Sequence, residues 1–306
     1  MKTHLISSLV GSFGGFSEEL NIPSVENLMR ASRQVPLDWQ PTFQILQGQS
    51  NESFQEQQQL FLHINNVFQQ YVSPDGTLCK SYVIAGPPGV GKTYMLRLAA
   101  VKAISMGLNV TVTAVLGERA VVLGGRHLHF LFKIPVVDKS NTELLVQKTL
   151  VKLLANPVAL EYLRRLDVLF VDEAGTLSAE LLSTLDRVMR RIRESKIFMG
   201  GMLIISTIDP LQLPPIRGRP FLMFSHILPC FWFGGLKYSI RAQNDNGFQR
   251  LQELTRIYNP SRLELDEFCQ LILQNCLFAT SWEDPIIPSN ALRVFGKCAA
   301  TEVEQD

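Results

Sequence analysis

Eight consecutive residues, GPPGVGKT from Gly86 to Thr93, constrain this chain more than any other stretch. They match the pattern GxxxxGK[ST] at every fixed position. The flanks agree with it: Ser81–Ala85 reads as a short buried strand, and from Lys92 onward the pattern is helical. Strand, glycine-rich turn and helix start, in that order, make a cradle for phosphate. Glycines let the backbone wrap an anion closely with its N–H groups pointing inward. The helix N-terminus adds the positive end of a dipole. Gly86, Pro87, Pro88, Gly89, Val90, Gly91, Lys92 and Thr93 are therefore expected to bind nucleotide. Lys92 would reach the β- and γ-phosphates, and the Thr93 hydroxyl would complete a Mg²⁺ shell.

Such a loop needs an acidic residue on a neighbouring strand to hold the metal. The run DVLFVDEAG, Asp167 to Gly175, supplies one: four apolar residues and then Asp172 and Glu173. Asp172 is expected to hold Mg²⁺ through a water. Glu173 is expected to act as general base on the water that attacks the γ-phosphate. Kinase-like phosphate-loop proteins usually lack the second carboxylate, so the pair points to nucleotide hydrolysis.

Further β-like runs, Asn109–Thr113, Val168–Val171 and Met202–Ser206, are short and rich in Val and Ile, as parallel strands covered on both faces should be. Helical patterns at Lys92–Met106 and Ser178–Ser195 lie between them. This alternation predicts an α/β fold: a RecA-like parallel sheet of the P-loop NTPase type with helices on both faces. Apolar residues from Phe54 to Gln70 approximate helical spacing ahead of the first strand. Residues 1–50 lack a clear period and read as a leader or cap. Residues 51–225 read as the nucleotide-binding motor domain. From 226 the pattern restarts with a run through Phe231–Ile240, helix-like Gly247–Ile257 and Arg262–Cys276, and strand-like Leu292–Phe295. Residues 226–306 thus read as the start of a second, incomplete RecA-like domain.

The chain's 29 basic and 28 acidic side chains leave a formal charge of +1, which excludes a binder working by bulk cationic attraction. Any nucleic-acid contact has to come from a local groove. Cys79, Cys230, Cys269, Cys276 and Cys298 include no CxxC pair, so neither a zinc site nor a disulfide framework is expected. Neither a membrane span nor a signal peptide stands out, and the chain reads as a soluble intracellular protein.

Four more segments narrow the class: SFQEQQQLF before the phosphate loop, TVTAVLGERAVVLGGRHLHFLFKIP (Thr111 to Pro135), IFMGGMLIISTIDPLQLPP (Ile197 to Pro215) and LKYSIRAQNDNGFQRL (Leu236 to Leu251). With the phosphate loop they resemble the Pif-type and RecD-like DNA helicases of superfamily 1B, including the helicase domains of Helitron-type transposons. The resemblance runs from about Phe54 to about Ala300. It implies an ATP- and Mg²⁺-dependent DNA helicase acting on single-stranded or partly duplex DNA with 5′ to 3′ polarity. It also implies work in DNA repair and recombination, with the nucleus placed before the mitochondrion or cytoplasm. In this resemblance Gln57 stands where the adenine-reading glutamine lies, with Gln55, Gln58 and Gln59 offering other registers. Thr113, Arg126, His129 and Lys133 fall in the segment bordering the single-strand groove, where Phe130 and Phe132 add stacking surface. His129 outside this context reads as an ordinary satisfied histidine. Met199, Gly200 and Gly201 match a turn, and Asp209 and Gln212 match the motif after it, where Gln212 would sense the γ-phosphate. Arg241 matches an arginine that opens the second motor domain and would reach across the cleft as an arginine finger. The Arg187, Arg190, Arg191 and Arg193 helix reads as a solvated face.

The chain departs from the pattern at Gly175 and Thr176 and at Ile208, where a glycine usually precedes the aspartate. Later family segments are not found after Leu251, so the resemblance implies a chain that stops midway through the second motor domain. A second reading follows: an ATP-binding interaction module, or degenerate helicase fragment, that binds nucleotide without unwinding DNA.

Overall fold

The computed structural model describes residues 51–73, 79–115, 120, 125–135, 142–216, 218–220, 227–241 and 245–275. The first helix, α1 (Asn51–Val72), buries Leu60, Phe61, Ile64, Val67 and Phe68, an i, i+3/i+4 stripe that faces the sheet. After it come β1 (Ser81–Ala85), α2 (Lys92–Ser105), β2 (Val110–Ala114), β3 (Arg126–His127) and the single turn α3 (Leu128–Leu131). The chain continues through α4 (Thr142–Leu154), α5 (Pro157–Arg164), β4 (Val168–Asp172), α6 (Ala179–Ile192), β5 (Leu203–Ile208) and β6 (Phe231–Gly235).

The strands form one sheet in the order β3-β2-β4-β5-β1-β6, every neighbouring pair parallel. Two apolar layers cover it. One joins α1 and α2 to the sheet, with Phe68 edge-on to Phe170 at 6.4 Å. The other joins α3 to α6. Burial on both faces explains why β2 and β4 are covered at every position, and why β4 reads as an apolar run up to Asp172. The register aligns Ala114 with Asp172, and Ala85 with both Ile208 and Gly235, so the carboxyl ends of the strands share one edge. That edge is where open parallel sheets bind ligands.

The expected boundary at 225/226 is corrected by the register. Phe231–Gly235 opens no new domain: it pairs with Ser81–Ala85 as the sixth strand of the same sheet. The chain divides into compact units between Gln243 and Asn244. In the second unit the described residues form α7 (Asn246–Leu254), capped by Asp245, and α8 (Arg262–Asn275). Ser261 and Glu264 close a reciprocal capping box at the start of α8. The Arg250 guanidinium forks onto both Glu267 oxygens at 2.7 and 2.9 Å, tying α7 to α8. Leu292–Phe295 and the proposed leader 1–50 lie outside the described residues.

Ser206 on β5 has a buried hydroxyl with no hydrogen-bond partner among the described residues. It faces a small cavity lined by Leu169, Val171, Leu182, Leu185 and Phe231. Ser206→Ala removes an unsatisfied polar group, and should raise stability by about 1 kcal/mol. A thermal melt checks this: a lower midpoint in the alanine variant would show that the hydroxyl is satisfied in solution.

Candidate nucleotide site at the strand ends

The loop between β1 and α2 carries Gly89 at φ 82° and Gly91 at φ 89°, left-handed values that suit glycine. Lys92 folds back so that its Nζ donates to Gly86 O and Pro87 O, both at 2.8 Å. An ammonium held by the loop's own carbonyls stands where incoming phosphate oxygens would compete for it. The Thr93 hydroxyl donates to Asp172 at 3.2 Å from either carboxylate oxygen. Asp172 is wholly buried at the end of β4. Residues 79 positions apart in sequence thus meet as a hydroxyl–carboxylate pair, the donor set that suits a hard divalent cation. The residues present fit Mg²⁺ and a nucleotide triphosphate tail.

Gln57 is the buried member of its glutamine cluster, whereas Gln55 and Gln59 are exposed. Its Nε2 donates to Val90 O at 3.1 Å, and its Oε1 is buried without a partner among the described residues. One amide end holds the phosphate loop, and the other is a buried, unpartnered acceptor beside it. That arrangement suits a base carrying an exocyclic amine.

The segment after β6 lies along the phosphate loop. Leu236 N–H donates to Ala85 O, and the N–H groups of Ile240 and Arg241 both donate to Gly89 O, at 2.9 and 3.2 Å. Glu56, next to Gln57 on α1, accepts from the N–H of Lys237 at 2.7 Å and of Tyr238 at 3.4 Å. The close approach also explains the glycines: a Cβ on Gly86 would stand 2.4 Å from Leu236 O, and one on Gly91 2.7 Å from Gln57 Nε2. Arg241, expected to reach across a cleft from a second domain, belongs instead to the first compact unit, exposed and fixed by its main chain to Gly89. Sequence reading missed Glu56, which had only its position beside Gln57 to mark it.

Glu173 follows Asp172 in a left-handed conformation at φ 51°, and Met199 and Gly200 adopt positive φ in the turn before β5. Asp209 is buried and its carbonyl accepts from Gln212 N–H at 3.2 Å, while Gln212 itself sits exposed on that turn.

The residues expected along DNA separate into two groups. Thr113 is corrected: it is wholly buried in β2 and its hydroxyl donates to Phe170 O at 2.8 Å, so it lies within the sheet and not on a surface that could meet DNA. Arg126, His127, His129, Phe130 and Lys133 cluster at the β3 edge. Arg126 lies over the Tyr162 ring at 5.3 Å and Lys133 Nζ over Phe130 at 4.1 Å, with Phe130 65% exposed. His129 stacks on His127 at 5.2 Å. Burial, and then the neighbouring His127, hold the His129 pKa below its ordinary value of 6.5. It is therefore neutral at physiological pH, and cationic attraction here falls to Arg126 and Lys133. In the arginine-rich α6, Arg187 and Arg191 pair with Glu143 at 3.1 and 2.6 Å, and Arg190 pairs with Asp186 at 2.8 Å. Arg193 turns inward to the carbonyls of Leu163 and Leu166.

A lysine-bearing phosphate loop, an acidic strand end bonded to its threonine, and an all-parallel sheet define a P-loop NTPase of RecA-like fold. A family model for the PIF1-like helicase matches residues 54–224, more than half of the chain, and the chain belongs to the PIF1-like helicase family. It is 29% identical over 180 residues to the ATP-dependent DNA helicase PIF3 of Trypanosoma brucei brucei, covering 57% of this chain and 20% of that protein. It is 34% identical over 140 residues to the ATP-dependent DNA helicase PIF1 of Saccharomyces cerevisiae, covering 44% and 15%. Among solved structures, the Pif1 helicase of Candida albicans superposes with a TM-score of 0.58 at 22% identity, over 72% of this chain and 47% of that one. A double mutant of the Bacteroides Pif1 helicase gives 0.54 at 26% identity, over 67% and 47%. The chain thus spans a fifth or less of these two curated relatives and about half of the solved structures. Among the described residues no helix is long and apolar enough to cross a membrane.

Proposed function

We propose that this chain is an ATP-hydrolysing helicase motor unit that binds MgATP at the strand ends and single-stranded DNA at the β3 edge. The observation that carries the reading is the pair of side-chain contacts that ready the site: Lys92 Nζ on the loop carbonyls and the Thr93 hydroxyl on Asp172. Support comes from a Bacteroides Pif1 helicase whose solved structure is a complex with ADP-AlF3 and ssDNA.

Bound Mg²⁺ would polarise the γ-phosphate of ATP, and attack by water there would release ADP and inorganic phosphate. Lys92 exchanges carbonyl partners for phosphate oxygens and neutralises them. Thr93 and Asp172 orient the cation. Glu173 takes the proton of the attacking water. Arg241, held beside Gly89, counters the charge that develops as the γ-phosphate departs. Gln57 reads the base with its unpartnered Oε1, and Gln212 reports the γ-phosphate from the turn after β5. Phe130 offers a stacking face, and Arg126 and Lys133 offer phosphate contacts on the same surface.

Single-stranded DNA should stimulate ATP hydrolysis by the wild-type chain. Arg126→Ala with Lys133→Ala should weaken DNA binding and flatten the dependence of log affinity on log salt by about 1.4, near 0.7 for each phosphate contact. Fluorescence anisotropy of a labelled oligonucleotide across a salt series measures this. Nucleotide binding without any DNA-stimulated hydrolysis would instead favour a nucleotide-dependent interaction module.

A further inference from the structure

β5 ends at a junction of three parts of the site. Ile208 O accepts from Gly86 N–H at 3.1 Å, which ties the strand to the start of the phosphate loop. One residue earlier, Thr207 is wholly buried. Its hydroxyl donates to Asp172 Oδ1 at 2.6 Å and accepts from the Glu173 N–H at 2.9 Å. A hydroxyl can do both because it has one proton and two lone pairs. Two adjacent acidic residues, one assigned to the metal and one to water activation, are therefore clamped by a single side chain from the neighbouring strand.

The clamp has a clear task. Asp172 Oδ1 receives hydroxyls from Thr93 on one side and Thr207 on the other, which restricts its carboxylate to one rotation. Glu173 sits at φ 51°, a region that costs a non-glycine residue free energy and persists only when its surroundings over-determine it. The bond from its N–H to Thr207 is such a constraint. Thr113, also buried in a strand of this sheet, spends its hydroxyl on a main-chain carbonyl. Thr207 spends its hydroxyl on the reactive residues.

We propose that Thr207 is a positioning residue for hydrolysis, holding the Asp172 carboxylate and the Glu173 main chain in one arrangement. This rests on the ATPase reading above.

Thr207→Val keeps the shape and removes the hydroxyl, and Thr207→Ser keeps the hydroxyl. The valine variant should lose about tenfold or more in kcat, the effect of one lost charge-assisted hydrogen bond, with KM for ATP changed by less than about threefold. Affinity for fluorescent ADP should be retained, and the serine variant should recover most of kcat. Hydrogen exchange in the nucleotide-free chain gives a readout independent of turnover: the peptide across Val171–Gly175 should exchange faster in the valine variant and at the wild-type rate in the serine variant. Wild-type kcat in Thr207→Val, a serine variant as slow as the valine one, or unchanged exchange at Glu173 would each overturn the proposal. A wild-type chain that binds fluorescent ADP without hydrolysing ATP overturns the ATPase reading itself, and this one with it.

Discussion

Lys92→Ala should abolish the proposed ATP hydrolysis, a loss on the order of 10³-fold or more, as expected when the main cation on transferring phosphates is removed. The size follows from where the ammonium sits. It begins α2 and bends back onto Gly86 O and Pro87 O of the phosphate loop. Alanine leaves those carbonyls facing the phosphates with no cation between them. Binding therefore weakens together with turnover. Lys92 is only half-buried and the helix keeps its apolar underside, Met95, Leu96, Leu98 and Ala99, so the variant should fold. Steady-state phosphate release, fluorescent ADP titration and circular dichroism measure the three quantities. Hydrolysis at more than a tenth of the wild-type rate in a folded Lys92→Ala chain would remove this loop from the mechanism.

Arg241→Ala should separate turnover from binding. An arginine that meets the departing phosphate is worth about 10³-fold or more in kcat. The backbone at this position is held by the N–H groups of Ile240 and Arg241 on Gly89 O, and the start of this strap, the segment 236–241 after β6, is held at Lys237 by Glu56. None of those bonds involves the guanidinium, so its removal leaves the strap in place and ADP affinity within a few-fold. Lysine should rescue poorly, because it cannot present a planar fork of donors to two phosphate oxygens. If Arg241→Ala turns over normally, the arginine finger lies elsewhere and Arg241 has only a surface role.

The phosphate loop and the acidic pair were legible because their chemistry is written in adjacent residues. Eight positions carry the loop and two carry the acids, and both motifs stand at the ends of apolar runs that can only be buried strands. Gln57 was legible in type but not in register, since four glutamines within five positions look alike until a helix buries one face. Thr113 was misread because strand alternation does not say which side chains reach the sheet's carboxyl edge and which stay within it. The boundary at 225/226 was misplaced because a loop follows β5 and the chain then returns to add a sixth strand beside β1. A local pattern read along the chain cannot show that return.

What the sequence alone determined is the set of motifs and the fold class: a GxxxxGK[ST] loop, two carboxylates after a buried strand, and a parallel α/β sheet to carry them. The tertiary structure decided who touches whom. Hydrogen bonds act over about 3 Å, and the groups that share them here lie far apart in sequence. Thr207 clamps Asp172 and Glu173 from 35 and 34 positions away, and Glu56 holds the strap at Lys237 across 181. The side chains that prepare a site are chosen by which strand ends the sheet sets side by side, and only folding sets them there.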